Sequence, residues 1–270
     1  TYKQQIGKVL LTARANATLS KNEVKEKDEQ ENIYPYRMER GYRVNQAKGL
    51  IALGLFKDYD DIRNSPKQTF GNYMPGDIKY KDVNGDGIID DQDQVAVGAT
   101  TVPNLVYGIG VSAQWKGLDV NVHFQGAGKS SFFIDGEGVR PFASGNRGNF
   151  YQEVIDGRWI SKEESGTIAT ENPHAKYPRL SYGYNGNNNR NSSYWLRNGA
   201  YLRLKTLEVG YTLPKKIVNR IHFNNIRIYM IGTNLITWSK FKMWDPEMNS
   251  SNGATYPLAK SVTVGLNVNL

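Results

Sequence analysis

Three stretches of this chain alternate apolar and polar residues with a period of two, and only extended backbone can satisfy that period. In residues 105–115 one face carries Leu105, Tyr107, Ile109, Val111, Ala113 and Trp115. The other carries Gly108, Gly110, Ser112 and Gln114. The turn Lys116-Gly117 follows. Residues 118–125 then set Leu118, Val120, Val122 and Phe124 against Asp119, Asn121, His123 and Gln125. Near the end, Leu258, Lys260, Val262, Val264, Leu266, Val268 and Leu270 face away from Ala259, Ser261, Thr263, Gly265, Asn267 and Asn269. A fourth, less clean alternation runs over 6–20 and is read as one strand, and two more strands are expected over 194–211 and 226–238. Such a strand suits either a half-exposed sheet or a barrel with lipid outside and water inside.

Composition narrows the choice of class. The longest apolar run in the 270 residues is eight long (49–56), so no stretch reaches the roughly 20 residues a membrane-spanning helix needs. A mean hydropathy of −0.58 leaves a barrel open, because barrel strands are oily on one side only. The absence of cysteine removes disulfide scaffolds, thiolate metal sites and a cysteine nucleophile. Glycine (27), asparagine (26) and tyrosine (17, against 9 phenylalanines) are abundant, a composition of strands and turns. The expected fold class is all-β. The net charge is +8, and the last 80 residues hold ten bases against three acids. Those bases are scattered over strands and turns, with no basic run and no recognition helix, so nucleic acid is not an expected partner. The chain opens on Thr1 inside a strand-like pattern, and we expect a segment of a longer protein.

One stretch runs against the basic average. Residues 71–100 hold six aspartates and two lysines. Within the expected acidic loop at 75–97, the run Asp82-Val83-Asn84-Gly85-Asp86-Gly87-Ile88-Ile89-Asp90-Asp91-Gln92-Asp93 has the spacing of an EF-hand loop. Asp82, Asn84 and Asp86 would offer side-chain oxygens, Ile88 its carbonyl, Asp90 a direct or water-mediated contact, and Asp93 the closing carboxylate. Calcium takes about 6–8 such hard oxygens. No long amphipathic helices flank the loop, so a structural Ca2+ site is expected and not a sensor.

Catalytic constellations do not emerge. His123, His174 and His222 stand apart, Glu163 and Glu164 are neighbours in a loop, and Asp135-Gly136-Glu137 is a weak echo of a glycosidase pair. Gly128-Lys129-Ser130 resembles the end of a phosphate-binding loop, but His123 stands where the first glycine is required. Residues 126–193 contain no strand of comparable quality and are read as one long extracellular loop region. Trp195, Trp238, Trp244, Tyr194, Tyr201 and Tyr211 lie in or near later strands and are read as an aromatic girdle at the membrane interface.

Several motifs recur in a fixed order: 75–87 (PGDIKYKDVNGDG), Tyr107-Gly108 leading to Phe124-Gln125-Gly126, Tyr177-Pro178-Arg179-Leu180, and 193–205 (SYWLRNGAYLRLK). They continue with 210–214 (GYTLP), Gly232-Thr233-Asn234-Leu235, Trp244-Asp245-Pro246-Glu247 and 256–261 (YPLAKS). With these residues the chain resembles the C-terminal barrel portion of a SusC/RagA-type TonB-dependent outer-membrane transporter. The resemblance implies an antiparallel transmembrane β-barrel of about 22 strands, plugged at its N-terminal side, of which 1–270 supplies the later strands and their long extracellular loops. It also implies a place in the outer membrane and import of glycans, oligosaccharides or peptides. The partners it implies are a SusD-like surface lipoprotein, TonB acting through an N-terminal part outside this chain, and the lipid itself. Such barrels usually end on an aromatic residue, whereas this chain ends on Leu270.

The function expected is therefore transport and not catalysis. The alternative is a soluble, secreted β-sandwich that binds carbohydrate and carries a structural calcium. The two differ at Trp115, Val122 and Val264, which a sandwich would bury against a second sheet.

Overall fold

The alternating segments pair with one another in chain order. The computed structural model describes residues 1–145, 149–248 and 250–269. Seven antiparallel strands make one open sheet: β1 (Tyr2–Ile6), β2 (Val9–Leu19), β3 (Leu105–Trp115), β4 (Leu118–Gly128), β5 (Tyr201–Thr212), β6 (Asn225–Ser239) and β7 (Ser261–Asn269). Each strand bonds to its neighbours in sequence, so β1 and β7 form the edges and no cylinder is closed by these strands alone. Among the described residues no helix is long and apolar enough to cross a membrane.

The connections differ sharply at the two ends. At one end the turns are 7–8, 116–117 and 213–224. Lys116 and Gly117 both have positive φ (48° and 90°), the geometry of the tight hairpin turn whose twist matches its strands. At the other end the insertions are 20–104, 129–200 and 240–260. Short turns on one side and long loops on the other is the pattern of outer-membrane barrels.

Register decides which face is oily. Ile6, Val9, Trp115, Leu118, Tyr211, Ile228 and Leu266 are direct partners from one edge to the other, and all seven are apolar. On the opposite face, Lys3, Thr12, Ser112, Asn121, Glu208, Ile231 and Thr263 form a neighbouring row, polar except at Ile231. Bulges at His123/Phe124 and Leu204/Thr206 reset the parity, so Leu202 and Leu204 rejoin the oily side beside Trp238 and Ile236. Trp115 keeps 47% of its surface exposed and Val264 72%. Six inter-strand spacings by about eight residues give this face roughly 700 Å², more than soluble monomers commonly leave bare. With Trp115 and Val264 uncovered and Val122 only half-buried, the sandwich alternative fails at the residues chosen to test it.

Some boundaries differ from expectation. The alternation over 6–20 is broken by a turn at Gly7 (φ +59°), which folds β1 back on β2. The strand expected over 118–125 runs on to Gly128, and the last strand begins at Ser261, leaving 258–260 outside it. Leu270 lies outside the described residues.

The hydrophobic core is not under the sheet. It lies where the three insertions meet and form a cap: Leu50, Ile78 and Tyr80 come from the first, Ile134, Val154 and Trp195 from the second, and Phe241 from the third. The region read as a long loop, 126–193, is thus largely folded onto this core. It contributes short helices at Gln152–Asp156 and Lys162–Ser165. Four aromatics assigned to a girdle are withdrawn from lipid, three of them into this core. Trp195 is 1% exposed, Tyr201 is buried, and Tyr194 and Trp244 pack against the core. Trp238 and Tyr211 remain exposed on the oily face, at opposite ends of the strands.

Candidate functional site

Two surfaces carry polar chemistry: the wet face of the sheet and the interior of the cap. On the wet face, Arg227 of β6 reaches across two strands. Its Nε and Nη2 donate to Asp119 on β4 (3.1 and 2.5 Å), and Nη2 also donates to Glu208 on β5 (2.7 Å). Gly210 lies beneath the guanidinium, where a β-carbon would overlap it. The absence of a side chain at 210 is what lets the arginine lie flat across the strands. Thr12, Arg14, Asn16, Asn121 and His123 extend the same concave surface. His123 thus sits on the wet face, as its parity predicts, between Gly108 and Gly110.

Where β5 enters the cap, Arg203 is 1% exposed and is held by both oxygens of Asp245 (2.6 and 2.7 Å), with Glu247 at 3.4 Å. The Trp244-Asp245-Pro246-Glu247 motif is therefore a clamp that ties the third insertion to the wall. A buried arginine needs such partners, because a lone charge removed from water costs several kcal/mol.

Inside the cap, Asp77 is wholly buried. It pairs with Arg179 (2.9 Å), and accepts from Asn185 (3.2 Å), Asn188 (2.8 Å) and the Met74 amide (2.9 Å). Asn187 and Gln68 continue this network, both bonding the Ile78 carbonyl (2.8 and 3.0 Å). The Tyr80 hydroxyl donates to the Asn187 carbonyl (2.7 Å), and burial pushes its pKa up, so it stays a donor. The asparagine-rich run 185–191 falls within the region read as one long extracellular loop. Asn187 and Asn188 are instead polar core residues.

The acidic loop winds on its own side chains. Asp82 accepts from the Gly85 and Gly87 amides (2.6 and 2.9 Å), Asn84 from Asp86 (3.1 Å), and Asp86 from Ile88 (2.8 Å). Asp93 is buried and divides its oxygens between the Val83 and Asp90 amides (2.7 and 2.9 Å). Asp90 caps the turn 91–93 through the Gln92 amide (2.7 Å). Ile88 pairs with Lys67 in a two-residue parallel bridge. The side-chain donors are all oxygens, which suits calcium in kind. Among the described residues no group of three or more Asp, Glu or His side chains is arranged as a ready metal cage.

The sequence offered faint signals for the residues it did not single out. Asp119, Glu208 and Arg227 are isolated charges on the wet parity of their strands, and Arg203 stands between Leu202 and Leu204. A charge at such a place requires a cross-strand partner, which pairing alone reveals.

No family model matches the chain. A protein of Formosa agariphila, TonB-dependent receptor P26, is 31% identical over 242 residues, covering 84% of this chain and 23% of the receptor. The chain is a relative of the TonB-dependent receptors. TonB-dependent receptor P3 of the same organism is 26% identical over 241 residues, covering 80% of this chain and 22% of its own. The chain thus spans about a quarter of the length of the receptors it matches. The solved structure of the RagAB peptide transporter superposes with a TM-score of 0.70 at 18% identity, over 99% of this chain and 28% of that one. The RagAB peptide importer in its open-open state gives 0.67 at 19% identity, over 98% and 27%. These likenesses confirm the fold as part of a receptor barrel wall. The curated relatives are outer-membrane receptors and not enzymes, which places the chain in the outer membrane.

Proposed function

We propose that this chain supplies seven wall strands and much of the outer cap of an active importer, which takes up oligosaccharides or peptides through the outer membrane. The remainder of the receptor would supply the other strands, the plug and the contact with TonB. A SusD-like lipoprotein would close over the long-loop end. The observation that carries this reading is the unbroken apolar row across all seven strands, backed by a polar face with a three-strand ion network. A water-filled, plugged lumen explains the polar face, and acyl chains explain the apolar one. The 82–93 loop is proposed as a structural Ca2+ site held by Asp82, Asn84, Asp86, the Ile88 carbonyl, Asp90 and Asp93. It would stiffen the cap where the loop is tied to the second insertion by the Asp91–Arg190 pair.

The test is uptake. Cells carrying the full-length receptor should accumulate labelled oligosaccharides or peptides, and loss of TonB should abolish accumulation without removing the receptor from the outer membrane. Recovery of the native full-length protein in the soluble fraction without detergent would refute the proposal.

A further inference from the structure

The oily face changes character where β3 to β6 reach the long-loop end. Tyr107, Gly126, Leu202 and Trp238 are direct partners in one row across these four strands. Gly126 leaves a gap in that row, and a β-carbon there would overlap the Tyr107 ring. The ring lies over β4 as a result, and its hydroxyl donates to the Tyr201 carbonyl (3.5 Å). Trp238 is 46% exposed and tilts against Phe124, with ring centroids 6.2 Å apart. Both rings line one open groove, whose other walls include Leu105, Gly128 and Ala200.

Two lysines end the apolar lining. Lys240 and Lys242, both exposed, border this groove and also a hollow of about 200 Å³ that they share with Lys176 and Arg197. The one acid on its wall among the described residues, Glu153, is paired with Lys176. Arg197 donates through Nη1 to the Tyr194 and Leu196 carbonyls (2.7 and 3.1 Å). Among the described residues, neither it nor the two lysines have a carboxylate partner. The hollow thus carries four cations against one anion, beside a groove that opens on the oily face. A water takes about 10–15 Å³ of this kind of space, so the hollow has room for a phosphate group.

We propose that these two depressions together bind a phosphorylated lipid of the outer leaflet, with an acyl chain in the groove beside Tyr107 and Trp238 and the phosphate at Lys240 and Lys242. Lysine suits this boundary, because its stem can lie on apolar surface while the ammonium stays among headgroups. Each basic residue near an anionic headgroup adds to the attraction. A neutral lipid would fill the groove and leave the cations unanswered, and free phosphate would do the opposite. A protein partner would have to displace bilayer from a face continuous with the apolar row. The assignment rests on reading the oily face as lipid-facing and the long-loop end as the outer side. It adds that the wall selects one class of lipid at one fixed place.

Native mass spectrometry on the purified full-length receptor in detergent tests it with lipid A, a phosphorylated and acylated disaccharide, against the same lipid stripped of its phosphates. The phosphorylated form should bind about tenfold tighter. Lys240→Gln with Lys242→Gln should erase most of that preference. Lys215→Gln with Lys216→Gln, an exposed pair at the short-turn end, should leave it intact. Trp238→Ala should weaken both lipids alike, and millimolar inorganic phosphate should not displace the bound lipid, since it lacks the chain. Equal binding of the two lipids overturns the proposal. So does a preference that survives the Lys240 and Lys242 changes, an equal loss from the Lys215 and Lys216 pair, full binding by Trp238→Ala, or displacement by phosphate alone. A receptor that imports through the outer membrane without any phosphate preference would remove the lipid seat and leave the import reading standing. Phosphate-selective lipid binding by a receptor that imports nothing would do the reverse.

Discussion

Gly76 illustrates how single residues hold the cap together. Its φ is +85°, and a β-carbon there would overlap the Trp159 indole. Gly76→Ala therefore meets both backbone strain and overpacking, and should cost the cap about 2–4 kcal/mol. Faster cleavage of the insertions by added protease, with the barrel strands still protected, would check this. The adjacent Asp77 makes a sharper case. Breaking its pair with Arg179→Met leaves a buried carboxylate uncompensated and should destabilise the cap by about 3–5 kcal/mol. Adding Asp77→Asn should recover part of that loss, because an amide tolerates burial among Asn185 and Asn188 better than an orphaned charge does. A double-mutant cycle read by protease resistance measures the coupling. Both residues stand in the 75–87 motif quoted from the sequence, but the motif does not show what they hold. Both lie in runs rich in turn formers, and their importance comes from partners about a hundred positions away.

At the scale of the element, β7 offers a clean contrast. Val264 and Thr263 are consecutive, yet Val264 continues the oily row through Met230 and Val209, while Thr263 continues the wet row through Ile231 and Glu208. Val264→Arg should cost about 2–4 kcal/mol of folding into a bilayer, and Thr263→Arg well under half as much. Band shift of unheated full-length receptor on a gel reports the folded fraction. The strands were legible because a period of two is local: 261–269 and 105–115 declare both faces without reference to any partner. The hairpin at Gly7 was not, since only Ile6 of β1 falls within the alternating run 6–20 and the two-residue turn leaves no longer break in it. The acidic loop is a further element to probe. If it binds calcium, chelation should lower the melting temperature of the full-length receptor. Asp82→Ala with Asp86→Ala should remove that sensitivity, a loss of about 2.7 kcal/mol where free calcium is a hundredfold above its dissociation constant.

The whole molecule has two parts that obey different solvents. The wall relies on pairing and on a nonaqueous exterior, and its oily residues stay exposed until lipid covers them. The cap relies on ordinary burial, with Trp195, Tyr80 and Ile78 excluded from water by residues of three separate insertions. The wall could be read from the sequence, whereas the cap could not, because its core residues show no period and are spread over nearly two hundred positions. The aromatics demonstrate the limit. Trp195 and Trp238 both stand near strands, and only their contacts separate a core residue from one facing lipid. A core shared among three insertions also constrains how such receptors diversify. Transplanting one insertion into another barrel would strip it of the neighbours that complete its packing. New recognition should therefore pass between lineages as a cassette of all three segments, with the clamp at Arg203 travelling alongside, while the strands beneath drift at their own pace.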